Sequence, residues 1–233
     1  MTDVFDLEPE DYAFSTQGAS ARQYPEALGF LPAGATWVLD AGCGAGDYGL
    51  RLAERATRVI GVDLSPGMIE LARRRRREAS ASNAEFLVAD LGALPFGNGS
   101  FDFVVSRNAL HLTSMEETVP ELRRVLRPQG RLFVHDLVTL HPRLRTLRSW
   151  QLLRTAMRVP GMLRSLGLRA TGRIVRFRTS PAWLRHVTAG RVTTPERFRQ
   201  ICRRILPGCE VRIRGDRVSV LWEAEGPGTE VQL

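Results

Sequence analysis

"VLDAGCGAGDYGLRLA", residues 38–53, decides the fold. It sets glycines at 42, 44 and 46 between an apolar run and a segment with helical spacing. Glycine loses more backbone freedom on folding than any other residue, so three this close mark a tight turn or the close approach of something bound.

Outward from that turn the chain alternates. "TWVLDAG" (36–42) reads as a buried strand and 47–56 as a helix, with "RVIGVDL" (58–64) a second strand. "SPGMIELARRRRREA" opens with Ser65 as N-cap and Pro66 at the first helical position. "AEFLVADL" and "FDFVVSRN" are strands three and four, joined by the turn-rich "GALPFGNGS". "SMEETVPELRRVLRPQG" reads as a helix capped by Ser114 and stopped at Gly130, and "RLFVHDL" as strand five. Strands alternating with helices imply βαβ units and a parallel sheet covered on both faces. "TTPERFRQICRRILPG" is a further helix capped by Thr194, and "CEVRIRGDRVSVLWEA" a hairpin about Gly215-Asp216. The first 35 residues show no clear period, and the tail "EGPGTEVQL" reads as frayed.

The chain has 233 residues, room for one domain with an insertion. No apolar run is long enough to span a bilayer and the acidic amino-terminal stretch is no signal sequence, so a cytoplasmic location is the default. Cys43, Cys202 and Cys209 lack metal-ligand spacing and read as buried or bystander thiols, with no disulfide and no metal. The net charge of +8 is uneven: residues 1–140 sum to −5 and 141–233 to +13. Residues 141–192 hold 12 arginines and no Asp or Glu. Codon bias accounts for arginine over lysine but not for the missing acids, so a basic surface or pocket is expected there. In "HPRLRTLRSWQLLRTAMRV", Leu144, Leu147, Trp150, Leu153 and Met157 share a helical stripe, read as core packing, with an irregular stretch following to about Val192.

A nicotinamide dinucleotide and S-adenosylmethionine both suit the glycine turn. The pattern G-x-G-x-x-G is met at Gly44, Gly46 and Gly49, with Asp63 following at about the spacing of a ribose contact. Its register is poor, because the strand already ends near Asp40. Read from Asp40 as D-x-G-x-G-x-G, the segment places a carboxylate where a pyrophosphate would be repelled and a sulfonium or ammonium welcomed. Four blocks in order, "VLDAGCGAGDYGLRLA", "VIGVDLSPGMIELAR", "AEFLVADLGALPFGNGSFDFVVSRNALHL" and "ELRRVLRPQGRLFVHD", resemble the class I S-adenosylmethionine-dependent methyltransferases, most closely the ubiquinone/menaquinone-type (type 11) branch.

The resemblance implies an α/β, Rossmann-like three-layer αβα sandwich: a mostly parallel seven-stranded sheet with a C-terminal antiparallel hairpin and a helical lid insertion. On that reading 1–233 is a single domain, with an N-terminal cap (1–35), a cofactor-binding core (36–137), a basic lid (138–192) and a last helix and hairpin (193–225). Asp40 with the turn Gly42, Cys43, Gly44 and Gly46 would line the methionine end of the cofactor. Asp63 would take the ribose hydroxyls, Leu64 and Met68 would pack on adenine, and Asp90 with the Leu91 backbone would read its amino edge. Arg107 and Asn108 would border the reactive methyl, and S-adenosyl-L-homocysteine would be the product. Taken singly, each carboxylate also reads as a cap or turn former.

His111 is the first candidate for a base, since neutral imidazole accepts a proton near physiological pH; the competing reading is a structural histidine. His135 and Asp136 at the end of strand five come next, and Tyr12 and Tyr24 suit an N-terminal flap. The lid arginines suggest an anionic small-molecule acceptor, methylated on O, with N or C open. A basic amphipathic helix also suits peripheral contact with an anionic membrane. Two other readings stay open. A nucleic-acid methyltransferase draws on the basic half, but "SRNALHL" lacks the signature of adenine-amino methylation and no cysteine stands in place to attack cytosine. A non-methylating member of the fold, such as a cyclase or scaffold, is the other. The sequence leaves oligomeric state open.

Overall fold

The computed structural model describes residues 9–21, 24–140 and 147–226. Its elements are α1 (Pro9–Ala21), α2 (Tyr24–Phe30), β1 (Trp37–Ala41), α3 (Asp47–Ala53), β2 (Arg58–Asp63), α4 (Pro66–Glu78) and β3 (Ala84–Val88). Next come β4 (Phe101–Arg107), a 3₁₀ turn at Leu110–Leu112, α5 (Met115–Arg124) and β5 (Leu126–Leu137). The last are α6 (Arg148–Arg178), α7 (Pro181–Ala189), α8 (Pro195–Ile205), β6 (Glu210–Arg214) and β7 (Arg217–Glu223).

The strands form one seven-stranded sheet in the order β3-β2-β1-β4-β5-β7-β6. β1 to β5 run parallel, and β7 enters antiparallel between β5 and β6. Parallel strands bury both faces, and successive side chains on one strand supply opposite layers. Leu39 joins Leu110, Leu122, Val134 and Phe198 on one side. Its neighbour Val38 joins Tyr48, Leu52, Ile69 and Phe103 on the other. The order reverses at β1 and β4, where connections leave in opposite directions and open a crevice at the strands' carboxyl ends. The Rossmann-like sandwich and its closing hairpin are therefore as the sequence implied.

Ser65 and Thr194 cap as read: Ser65 Oγ accepts from the Met68 amide at 3.3 Å and Thr194 Oγ1 from that of Arg197 at 3.3 Å. Ser114 precedes α5 without a side-chain capping bond. Cys43, Cys202 and Cys209 are free and buried.

Three expectations need correction. The helix expected over 114–130 stops at Arg124, and strand begins at Leu126. The segment 126–130 carries a bulge, with β4 pairing shifting from Phe101–Leu126 to Phe103–Arg131 and Gln129 at φ 63°. Gln129 donates to Ala224 and Ala224 to Gly130, so pairing with the far end of β7 overrides a helical spacing that Pro128 already disfavours. The amino-terminal stretch, which shows no clear period and to which the sequence assigns no element, holds α1 and α2, an addition and not a correction. The region expected to be irregular up to Val192 is mostly helical, because α6 continues to Arg178 and α7 follows. Finally, the stripe read as core is not: Leu147, Leu153 and Met157 are exposed, while Leu144 lies outside the described residues.

Within α6, Gly167 leaves helical geometry at φ 78°. Gly167 divides α6 into two helical arms, and Arg154 and Arg158 of the first line the same cavity as Arg178 of the second. Gln151 and Thr155 are buried on the first arm, and Thr171, Ile174 and Phe177 on the second.

Candidate cofactor and acceptor site

The three glycines of the turn do different work. Gly42 (φ 78°) lets the chain cross the loop after β4, since a Cβ there would meet that of Ala109 at 2.3 Å. Gly46 (φ 80°) precedes α3, and a Cβ there would strike Ala72 and Phe86 at 2.9 Å, so it seats the helix against the sheet. Gly44 (φ 52°) has nothing within 4 Å of where a Cβ would stand. It faces the crevice.

The turn is pinned from β2. The Gly42 and Cys43 amides both donate to the Val62 carbonyl, at 2.8 and 2.9 Å. Asp63 Oδ2 accepts from the Gly44 amide at 2.9 Å and Oδ1 from the Ser65 amide at 3.0 Å. Burial raises the Asp63 pKa against the pull of these amides. Each oxygen retains acceptor capacity, which suits a vicinal diol. Beside Asp63 in the β2–β3 register stands Val88, 48% exposed, and Leu64 follows at 38%. Together they form an apolar ledge of the kind a purine covers.

Asp40, at the end of β1, is 2% exposed, and its Oδ2 has no hydrogen-bond partner among the described residues. Burial pushes it up to about 7, although Arg107 and the Gly49 amide pull the other way. A buried carboxylate short of partners is the environment a nearby cation relieves. These carboxylates and the open rim at Gly44 fit S-adenosylmethionine better than a dinucleotide. Burial also pushes the Cys43 thiol up, so it is a packed neutral group.

The cavity above the turn is lined by Gly42, Cys43, Gly44, Asp63, Met68, Arg107, Asn108 and His111 of the predicted residues. Asp40, Gly46, Leu64, Asp90 and Leu91 stand outside its wall. Asp90 is exposed and closes a turn by accepting from the Gly92 amide at 2.8 Å, and Leu91 is buried in the core. Asn108 takes φ 53°, a conformation asparagine tolerates, and its Oδ1 accepts from Arg217 at 2.6 Å. The Arg107 guanidinium lies 4.0 Å over the Tyr48 ring.

His111 lies on the 3₁₀ turn after β4. Its Nδ1 is 2.6 Å from Asp136 Oδ1, and its own amide donates to Asp136 Oδ2 at 3.2 Å. Burial works to raise the Asp136 pKa, but the attraction and hydrogen bond of His111 outweigh it and the net shift is downward. His135 is instead turned to Ser219, with Nδ1 2.9 Å from Oγ, and is not part of the cavity wall. Asp136, named with His135 as a candidate next after His111, is thus the partner of His111, a pairing that the sequence reading did not make.

The far wall comes from α1, α6 and α7. Tyr12 packs edge-on to His186 and near Trp183 and Phe177, and burial, with Asp63 and Asp136 adding to it, pushes its hydroxyl up to about 12. The Tyr24 side chain lies outside the described residues. Arg154, Arg158 and Arg178 line this end. Burial, then Arg158, lowers the pKa of Arg154, whose nearest carboxylate is Asp216 at 3.7 Å. Burial, then Arg158 and Arg154, lowers that of Arg178. Arg178 donates to the Ser15 carbonyl at 3.1 Å, while its Nε is buried with no partner among the described residues.

Residues 38–130 match the methyltransferase domain family. Demethylmenaquinone methyltransferase of Lactococcus lactis is 40% identical over 111 residues, 46% of this chain and 43% of that protein. O-methyltransferase cnsE of Penicillium expansum is 36% identical over 114 residues, 48% of this chain and 41% of that protein. The chain thus spans about two fifths of the length of these curated relatives. A solved S-adenosylmethionine-dependent methyltransferase structure from Methanococcus maripaludis aligns over 94% of this chain and 92% of its own, with TM-score 0.62 at 16% identity, a likeness of fold. Over residues 38–130 the chain thus matches the methyltransferase domain family, and its sheet shares the fold of solved S-adenosylmethionine-dependent methyltransferases.

Proposed function

We propose that this protein transfers a methyl group from S-adenosylmethionine to a small-molecule acceptor that carries a carboxylate or phosphate, with an oxygen as the nucleophile. One observation carries the reading: the cavity is acidic at one end and basic at the other. Asp63 and, below the wall, Asp40 face the glycine turn, while Arg154, Arg158 and Arg178 gather under the lid. A cation is favoured at the first end and an anion at the second.

When bound, the cofactor supplies an electrophilic methyl on a sulfonium, displaced in line. The protein's part is to align the nucleophile and exclude water. Asp63, Leu64 and Val88 would hold the nucleoside; the roles of Asp90 and Leu91 at adenine rest on the resemblance. Arg154 and Arg178 would grip the acceptor's anionic group, Arg178 through the Nε that has no partner among the described residues. Asp136 holds His111 by Nδ1, which leaves Nε2 as the nitrogen able to take a hydroxyl proton. Tyr12, Trp183 and His186 would close the cavity against solvent.

An O-methyltransferase among the relatives agrees with oxygen as acceptor atom. The test is methyl transfer from labelled cofactor to a panel of hydroxylated metabolites, each in anionic and esterified form. The reading predicts turnover with the anionic members and loss on esterification; equal turnover of the esters would remove the anion from it.

A further inference from the structure

Ten large apolar residues stand exposed on the described surface, and eight of them fall between Leu140 and Leu168. The other two, Leu64 and Val88, form the ledge beside Asp63. On the first arm of α6 the exposed set is ordered. Leu152, Leu153, Ala156, Met157, Pro160 and Leu163 recur at the spacing of one continuous helical face, and all are exposed. Gln151 and Thr155 point the other way and are buried, and Arg154 lies to the cavity side. Leu166 and Leu168, 51% and 78% exposed, continue the apolar surface around the turn at Gly167. A contiguous exposed apolar helical face is unusual on a monomer's surface and marks a contact site.

Charge says what the contact is. Arg148 and Arg164 are exposed on the same arm as this face, Arg169 and Arg176 on the second arm and Arg185 on α7. No Asp or Glu occurs between residues 141 and 192 to neutralise them. A second copy of the same face would set arginine against arginine, which argues against self-association. No helix of the described residues is long and apolar enough to cross a membrane. An apolar face on a segment whose five named arginines form no ion pair among the described residues, too short to span, has the make-up of a helix lying in the headgroup region of an anionic bilayer. We propose that the exposed apolar face of α6 docks on an anionic phospholipid surface, leucines entering the acyl boundary and arginines meeting the phosphates. The inference stands independently of the acceptor's identity.

The test is flotation of the full chain with phosphatidylcholine vesicles, with and without phosphatidylglycerol. The wild type is expected to float only with the anionic vesicles and to be released by high salt. The variant Leu153→Glu/Met157→Glu/Leu163→Glu should partition at least about tenfold less. These side chains are exposed, so its circular dichroism and melting temperature should match the wild type. Should that variant fail to fold, Arg164→Glu/Arg169→Glu reads the charge alone and should also lose flotation. The proposal is overturned if the wild type stays at the bottom with anionic vesicles, floats equally with neutral ones, or if folded variants float like it. A wild-type dimer split by the triple variant in light scattering would make the face an interface between copies, and would overturn it too.

Discussion

His111 and Asp136 are joined twice, by the imidazole Nδ1 at 2.6 Å from one carboxylate oxygen and by the histidine's own amide at 3.2 Å from the other. Side chain and backbone are thus oriented by one buried acid, 0% exposed. His111→Ala should lower turnover by about a hundredfold, with cofactor affinity by calorimetry unchanged. Asp136→Asn should also lower turnover and alter the pH–rate profile, and the double variant should fall little below either single one. Additive losses would show the two acting separately.

The same pair makes a prediction for stability. Asp136 in the folded protein lies below its ordinary 3.8, so the stability it contributes is present above that value. It is lost as pH falls through the depressed folded value. Asp136→Asn should flatten the acid side of a plot of melting temperature against pH.

Asp63 braces the glycine turn and faces the crevice with the same two oxygens. Asp63→Ala should weaken cofactor binding by about 2 kcal/mol or more, the loss of a double hydrogen bond to charge. Asp63→Asn, which keeps one acceptor oxygen, should lose less. Calorimetric titration distinguishes the two, and unchanged affinity in Asp63→Ala would remove the assignment.

Asp40 carries a pH signature. Its folded value of about 7 lies above the ordinary 3.8, so between these limits the folded protein holds a proton the unfolded chain has lost. Stability of the ligand-free protein should fall as pH rises across that window and level off above it. A bound cation favours the ionised form, so affinity for S-adenosylmethionine should climb with pH up to about 7. Asp40→Asn should flatten both dependences, as melting curves and calorimetry at a series of pH values would show.

Arg178 is buried beside two like charges, and burial with their repulsion depresses its pKa. Arg178→Met should therefore leave melting temperature unchanged or raised while increasing KM for an anionic acceptor about tenfold or more. Esterified acceptors should show no such change.

The cofactor half was legible because its chemistry is local. The carboxylates Asp40 and Asp63 end short strands, the glycines sit between, and Ser65-Pro66 starts a helix within a few residues. The half of the candidate site lined by the lid arginines depended on contacts that no short window contains. Arg154 and Arg178 line one cavity from the two arms that Gly167 divides, a glycine indistinguishable in sequence from Gly161 and Gly172, which stay within helix. The segment 126–130 was misread because its strand pairing is supplied by residues near Ala224. The leucine stripe on α6 had correct periodicity and the wrong destination: period reports that a face is apolar, and what covers it is decided elsewhere.

The entry of β7 between β5 and β6 has a consequence for synthesis. Until the ribosome has released Glu223, β5 offers an unsatisfied flank of main-chain groups on an otherwise assembled sheet. The β6–β7 hairpin, the last of the described strands to be made, is the fastening that covers that flank.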